Sequence, residues 1–132
     1  MSQENVEKVR AAMEAWNRGD WDAALKDAAP DFELDNSSHV GEWRGVHRGH
    51  DAARRLWQRF FDPWESVRFE IEEVIEVNEH VVTRQTTYFV GRDGIEVKAR
   101  TAGCWTFRDG EATRLLMSNE FAEAMQAAGR RE

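Results

Sequence analysis

Two Asp-Gly pairs, Asp93-Gly94 and Asp109-Gly110, bracket a run in which Val97, Ala99, Thr101, Gly103, Trp105 and Phe107 occupy every second position. A period of two describes a strand with one face inward. Asp-Gly is the pair that a tight two-residue hairpin demands. A strand over 95–107 must therefore have an antiparallel neighbour on each side, over about 81–90 and about 112–120. Upstream, Val67, Phe69 and Ile71 share one face of a further strand. Val74 and Ile75 then break the alternation, which places a bulge near Glu72-Glu73. A sheet of this size has an apolar face that another layer must cover.

The first half of the chain supplies that layer. Val6, Val9, Met13 and Trp16 recur at helical spacing over 2–18, and Gly19 ends the helix. Asp20 is placed to cap a second, short helix carrying Trp21, Ala24, Leu25 and Ala28, with Pro30 as its stop. Phe32 and Leu34 alternate with Glu33 and Asp35 in a short strand. Residues 36–49 read as a loop, with a short strand around Val46. Ala53, Leu56, Trp57, Phe60 and Phe61 form the wide apolar stripe of a third helix over about 50–62, ended by Pro63. A short helix over 121–128 closes the chain. The order predicts an α+β fold: a curved antiparallel sheet, cone-shaped, packed against three helices with a cavity between them. Residues 1–132 are expected to form one domain.

Composition narrows the partners. A net charge of −7 argues against general nucleic-acid binding, whose proteins carry a basic face. No apolar run approaches the ~20 residues of a membrane span. The first residues lack the basic and apolar regions of a secretory signal, so a cytoplasmic location is expected. Cys104 is the single cysteine, which rules out an internal disulfide. No phosphate loop, nucleophile elbow or dinucleotide fingerprint is present, and the histidine spacing gives no support for a metal. No cofactor and no metal are expected. Six tryptophans suit a core that also walls an apolar ligand pocket.

Four segments resemble one family. Trp105-Thr106-Phe107-Arg108-Asp109-Gly110 is similar to the signature near the end of SnoaL-like proteins, in the nuclear transport factor 2-like superfamily. Trp16-Asn17-Arg18-Gly19-Asp20 resembles that family's first helix and turn. Ala29-Pro30-Asp31-Phe32 resembles the entry to its first strand. Gly45-Val46-His47-Arg48-Gly49 resembles the segment before its third helix. The resemblance spans nearly the whole chain and implies a cone around a small-molecule pocket, and a homodimer. The superfamily holds isomerases, cyclases, dehydratases, hydrolases and non-catalytic binding proteins, so fold alone does not select a function.

The resemblance places Asp35 where related ketosteroid isomerases carry the carboxylate that shuttles a proton. A carboxylate in an apolar cavity can abstract a proton beside a carbonyl, because desolvation raises its basicity. Asp35 is thus the candidate base, with His39, four residues on, as a catalytic partner. His47, His50 and His80 are further acid–base candidates. Arg84 and Arg100 could hold an anion. Ala12 and Gly103 stand where those isomerases carry their two oxyanion donors, and the loss of such a donor costs roughly 10²–10³-fold in rate. Two small residues there would also enlarge the cavity. Trp16, Trp57, Phe60, Thr101, Trp105, Met117 and Asn119 are the expected substrate-binding set. Two functions fit: a cofactor-free enzyme isomerising, cyclising or dehydrating an apolar carbonyl compound, or a non-catalytic binding or dimerisation domain with the same pocket. The expected dimer surface is the second face of the 95–107 strand, with Glu96, Lys98, Arg100, Ala102, Cys104 and Thr106.

Overall fold

A computed structural model of the protein describes residues 2–37 and 44–129. His39 lies outside them. The elements are α1 (Ser2–Arg18), α2 (Trp21–Ala24), β1 (Ala28–Asp35), β2 (Val46–Arg48), α3 (His50–Phe61), β3 (Trp64–Val77), β4 (His80–Gly91), β5 (Glu96–Arg108), β6 (Glu111–Ser118) and α4 (Phe121–Gly129). The six strands form one curved, unclosed sheet in the order β2-β1-β6-β5-β4-β3. The α+β cone expected from the sequence is the observed architecture.

Local chemistry explains the element boundaries. Gly19 has φ +70°, and Gly19 N–H and Asp20 N–H donate to the carbonyls of Trp16 and Ala15. Those two bonds satisfy carbonyls that the last helical turn would leave open. The Asp20 carboxylate accepts from the Ala23 N–H at 3.1 Å and caps α2. Asp109 and Gly110 both have positive φ (53° and 83°), as a tight hairpin requires of its two central residues. The β3–β4 register slips between Ile71 and Glu73, where the broken alternation placed a bulge.

Three features depart from expectation. The sheet is mixed: β1 runs parallel to β6, with Asp35 beside Leu116, while the other pairs are antiparallel. Strand β1 enters from the helices rather than from a hairpin, so no tight turn dictates its direction. Second, α2 is only one turn long and β1 starts at Ala28, so Pro30 sits inside a strand. It is tolerated there because the β1–β6 register is irregular between Ala28 and Glu33. Third, the helices occupy both faces of the sheet. Val81, Trp105, Phe107 and Leu115 pack with α1, α2 and α3. Their chain neighbours Val82, Cys104 and Leu116 pack with Ala124 and Ala128 of α4. Adjacent apolar residues on a strand give each face one side chain. The sheet therefore has two apolar faces, and α4 covers the outer one.

Candidate functional site

The inner core is aromatic. Trp16 sits at its centre, with ring centroids 5.4 Å from Trp57, 5.2 Å from Phe69 and 5.7 Å from Trp105. Asn17 locks this corner. Its side-chain amide donates to the Phe69 carbonyl at 3.0 Å and accepts from the Phe69 N–H at 2.7 Å. The end of α1 is thereby tied to β3. Trp21, Phe61 and Phe60 continue the aromatic layer outward to Phe89 and Trp64.

Between α3 and the sheet this layer leaves a cavity of about 90 Å³. One water needs roughly 10–15 Å³ on such a measure, so the space suits several waters or a compact ligand. Its walls are Trp16, Leu34, Leu56, Trp57, Phe60, Phe61, Phe69, Phe89 and Met117, and its polar lining is Asn36, Thr87 and Thr101. Of the residues expected to bind substrate, Trp16, Trp57, Phe60, Thr101 and Met117 are brought together here. Trp105 stacks behind Trp16 and lines a smaller void of about 20 Å³ with Ala12, Phe32 and Phe107. Asn119 is exposed beyond the end of β6.

Asp35 is not on this wall. Phe32 and Leu34 face the inner core, so alternation turns Asp35 to the outer face. Its carboxylate is buried there and accepts from the Arg114 guanidinium, and from the Ser37 N–H and Oγ–H at 2.9 and 2.6 Å. Burial alone would raise its pKa. The Ser37 and Arg114 hydrogen bonds outweigh that and hold the carboxyl below its ordinary value. A depressed pKa makes a weaker base.

The other titratable candidates are also accounted for. His50 Nε2 lies 3.2 and 3.0 Å from the Ala28 and Ala29 carbonyls, so it donates to them and ties α3 to β1. His80 Nδ1 is 3.0 Å from Thr106 Oγ1 on the outer face. His47 pairs with Leu34 across β1–β2 and shares its inner face. Arg84 contacts Glu73 at 2.6 Å and lies over the Phe121 ring. Arg100 lies 3.7 Å from Glu72. Both arginines alternate away from the cavity. Gly103 does not enlarge the cavity either, because a Cβ there would meet Leu115 Cδ1 at 3.1 Å and Thr83 Oγ1 at 3.3 Å. Leu115 has taken up the space. No group of three or more metal-ligating side chains occurs among the described residues.

Strand β4 adds a polar stripe that its sequence does not make conspicuous. Thr83, Gln85 and Thr87 alternate on its inner face and are all buried. Gln85 Nε2 donates to Thr101 Oγ1 at 2.9 Å. The signal was the same period of two that revealed β5, applied to Val81, Thr83, Gln85, Thr87 and Phe89.

The SnoaL-like domain matches over residues 9–115. The chain belongs to the SnoaL-like family. Among solved structures, TerC co-crystallised with polyporic acid superposes with a TM-score of 0.80 at 22% identity, covering 96% of this chain and 99% of that one. An NTF2-like protein of unknown function from Burkholderia pseudomallei K96243 gives 0.78 at 24% identity, covering 96% and 98%. A protein from Jannaschia sp. CCS1 assigned to the SnoaL-like polyketide cyclases gives 0.76 at 16% identity, covering 99% and 95%. These likenesses establish the fold. A comparison with curated proteins finds no match. No helix among the described residues is long and apolar enough to cross a membrane.

Proposed function

We infer that this SnoaL-like protein binds a compact, ring-containing small molecule in the cavity under α3. One observation carries the reading: the cavity is walled by aromatic side chains, and none of its lining residues is titratable. An apolar enclosure with a few polar groups is the usual form of a small-ligand site. TerC, whose fold superposes on this one, is co-crystallised with polyporic acid, which supports a small-molecule ligand here. With Asp35 held on the outer face by Arg114, a proton-shuttling mechanism through that carboxylate loses its geometric basis.

A second reading keeps acid–base chemistry on a carbonyl compound. It is favoured by His47, whose partner Leu34 lines the cavity. His39 belongs with it as a second acid–base candidate. A dimer would fit either reading. Because α4 covers Ala102 and Cys104, its surface would be the exposed part of the outer face around Glu96, Lys98 and Arg100.

The test is a thermal-shift screen of small aromatic and cyclic carbonyl compounds. Each hit is then followed by NMR for deuterium exchange at its acidic C–H. Saturable binding without exchange above buffer supports the binding reading. Exchange that disappears in His47→Gln supports the second. A screen in which no compound raises the melting temperature refutes both.

A further inference from the structure

The inner face of the sheet carries a row of polar groups whose hydrogen bonding is incomplete. Asp35 lies beside Leu116 in the parallel β1–β6 pair, so Asn36 lies beside Met117. Met117 faces Gly103, and Thr101 is the next inward residue along β5. Thr101 in turn faces Gln85. Asn36, Met117, Thr101 and Gln85 thus cross four strands in sequence, and the first three line the cavity. Asn36 Oδ1 and Gln85 Oε1 are buried with no partner. Trp16 Nε1, on the cavity's aromatic wall, is likewise buried and unpartnered. Gln85 and Trp16 are 1% and 3% exposed.

An orphaned buried polar atom costs roughly 1–3 kcal/mol, and a fold rarely retains several in one place without a further partner. Two of these orphans are acceptors at opposite ends of the row, and one is a donor on the wall. Met117 between them offers a polarisable thioether, which packs well against a ring. Asn36 and Gln85 stand three strands apart, about 14 Å at a spacing of about 4.8 Å. The Gln85 amide reaches across to Thr101 on β5, which leaves about 10 Å from Asn36, a span that one ring covers with two opposed hydroxyls and their hydrogen bonds.

We propose that the ligand, in the binding pocket inferred above, is a hydroxylated aromatic ring lying over Met117. One hydroxyl donates to Asn36 Oδ1, and another to the Gln85–Thr101 pair. Asn36 and Gln85 are then specificity-determining residues that reject a ring bearing methyl groups instead. A methylated ring would leave both amide oxygens buried and unpaired, and discrimination of this kind exceeds what shape alone achieves.

Hydroquinone, 4-methylphenol and p-xylene are matched in shape and carry two, one and no hydroxyls. Ligand-observed NMR titration of the full chain is expected to give affinities in that order, with roughly two- to tenfold per hydroxyl. Asn36→Leu and Gln85→Met are each expected to remove one step of the hydroquinone preference without weakening p-xylene. Thr101→Val, nearly isosteric, gives the same loss at the Gln85 end should Gln85→Met fold poorly, as judged by circular dichroism. Equal or tighter p-xylene binding would overturn the hydroxyl assignment and leave the pocket standing, with water satisfying the amides. Retention of the full preference in the variants would overturn the assignment to these residues. Failure of all three compounds to bind the unmodified protein would overturn this proposal and the binding reading together.

Discussion

Arg114 and Asp35 form an ion pair across the β1–β6 boundary, on the face of the sheet that points away from the cavity. Asp35 is buried and Arg114 is half-exposed, so the pair lies at the edge of the outer face. The carboxylate is also the acceptor that orders Ser37, immediately after Asn36. These bonds tie the end of β1 to β6 on the face opposite the cavity.

Asp35→Asn is therefore expected to affect stability more than binding. The loss at neutral pH should be about 1–2 kcal/mol, the lower part of the range for charged hydrogen bonds because Arg114 is partly solvated. The native pKa of Asp35 lies below its unfolded value. Its ionised form thus adds stability above the unfolded pKa of ~3.9, and that contribution fades as pH falls through the native pKa. Melting temperatures of the two proteins should converge in acid. A constant difference down to pH 2 would contradict the assignment, as would complete loss of ligand binding with the fold intact.

Asn17→Ala is expected to cost about 2 kcal/mol, because both of its amide bonds to Phe69 are lost and the Phe69 N–H and C=O must find water. Chemical denaturation measures the loss. Phe69 lines the cavity, so ligand affinity should fall with it. Asn17→Asp should retain only the bond accepted from the Phe69 N–H, and lose about half as much stability.

Much of this fold was legible because it rests on local rules. The Asp-Gly pairs fixed both hairpins, Gly19 ended α1, and the broken period at Val74-Ile75 located the bulge in β3. The parallel placement of β1 was not legible, since it depends on how the helices dock and not on any turn. The cavity was half legible. Trp16, Trp57, Phe60, Thr101 and Met117 follow from helix and strand faces. The family position of Asp35 points to the pocket, whereas its alternation with Leu34 points to the outer face, and alternation decides where the side chain lies. Gln85 escaped because polar residues at period two do not stand out as apolar ones do, although their burial makes them more informative.

Cys104 tests whether α4 seals the outer face. Its thiol is buried under Ala124 and Ala128, and burial pushes its pKa up to about 11, against smaller opposing effects of Arg114 and Thr106. At pH 8 roughly one thiol in 10³ is then ionised, so reaction with a disulfide reagent should be slow and limited by opening. The raised pKa also means that stability is full below the unfolded thiol pKa, and falls as pH rises towards 11. Ala128→Glu, which places a charge in that contact, should speed labelling at least tenfold. Rapid labelling of the unmodified protein at pH 8 would show that α4 does not seal this face.

Gly103 separates a packing role from a functional one. It faces Thr83 across β4–β5, and the built Cβ meets Leu115 Cδ1 at 3.1 Å, a contact that Leu115, fully buried, has little room to relieve. Replacing glycine by alanine restrains the unfolded chain and is worth about 0.4–1 kcal/mol where the native site accepts it. Overpacking costs about 1–3 kcal/mol and should win here. Gly103→Ala is thus expected to lower stability by about 1 kcal/mol. Leu115→Val alone should cost about 1 kcal/mol through the space that it opens. In the double variant Gly103→Ala/Leu115→Val the added methyl fills part of that space, so the combined loss should be smaller than the sum of the two. A double-mutant cycle by urea denaturation reads the coupling. Strict additivity would mean that Leu115 is not what excludes a side chain at position 103.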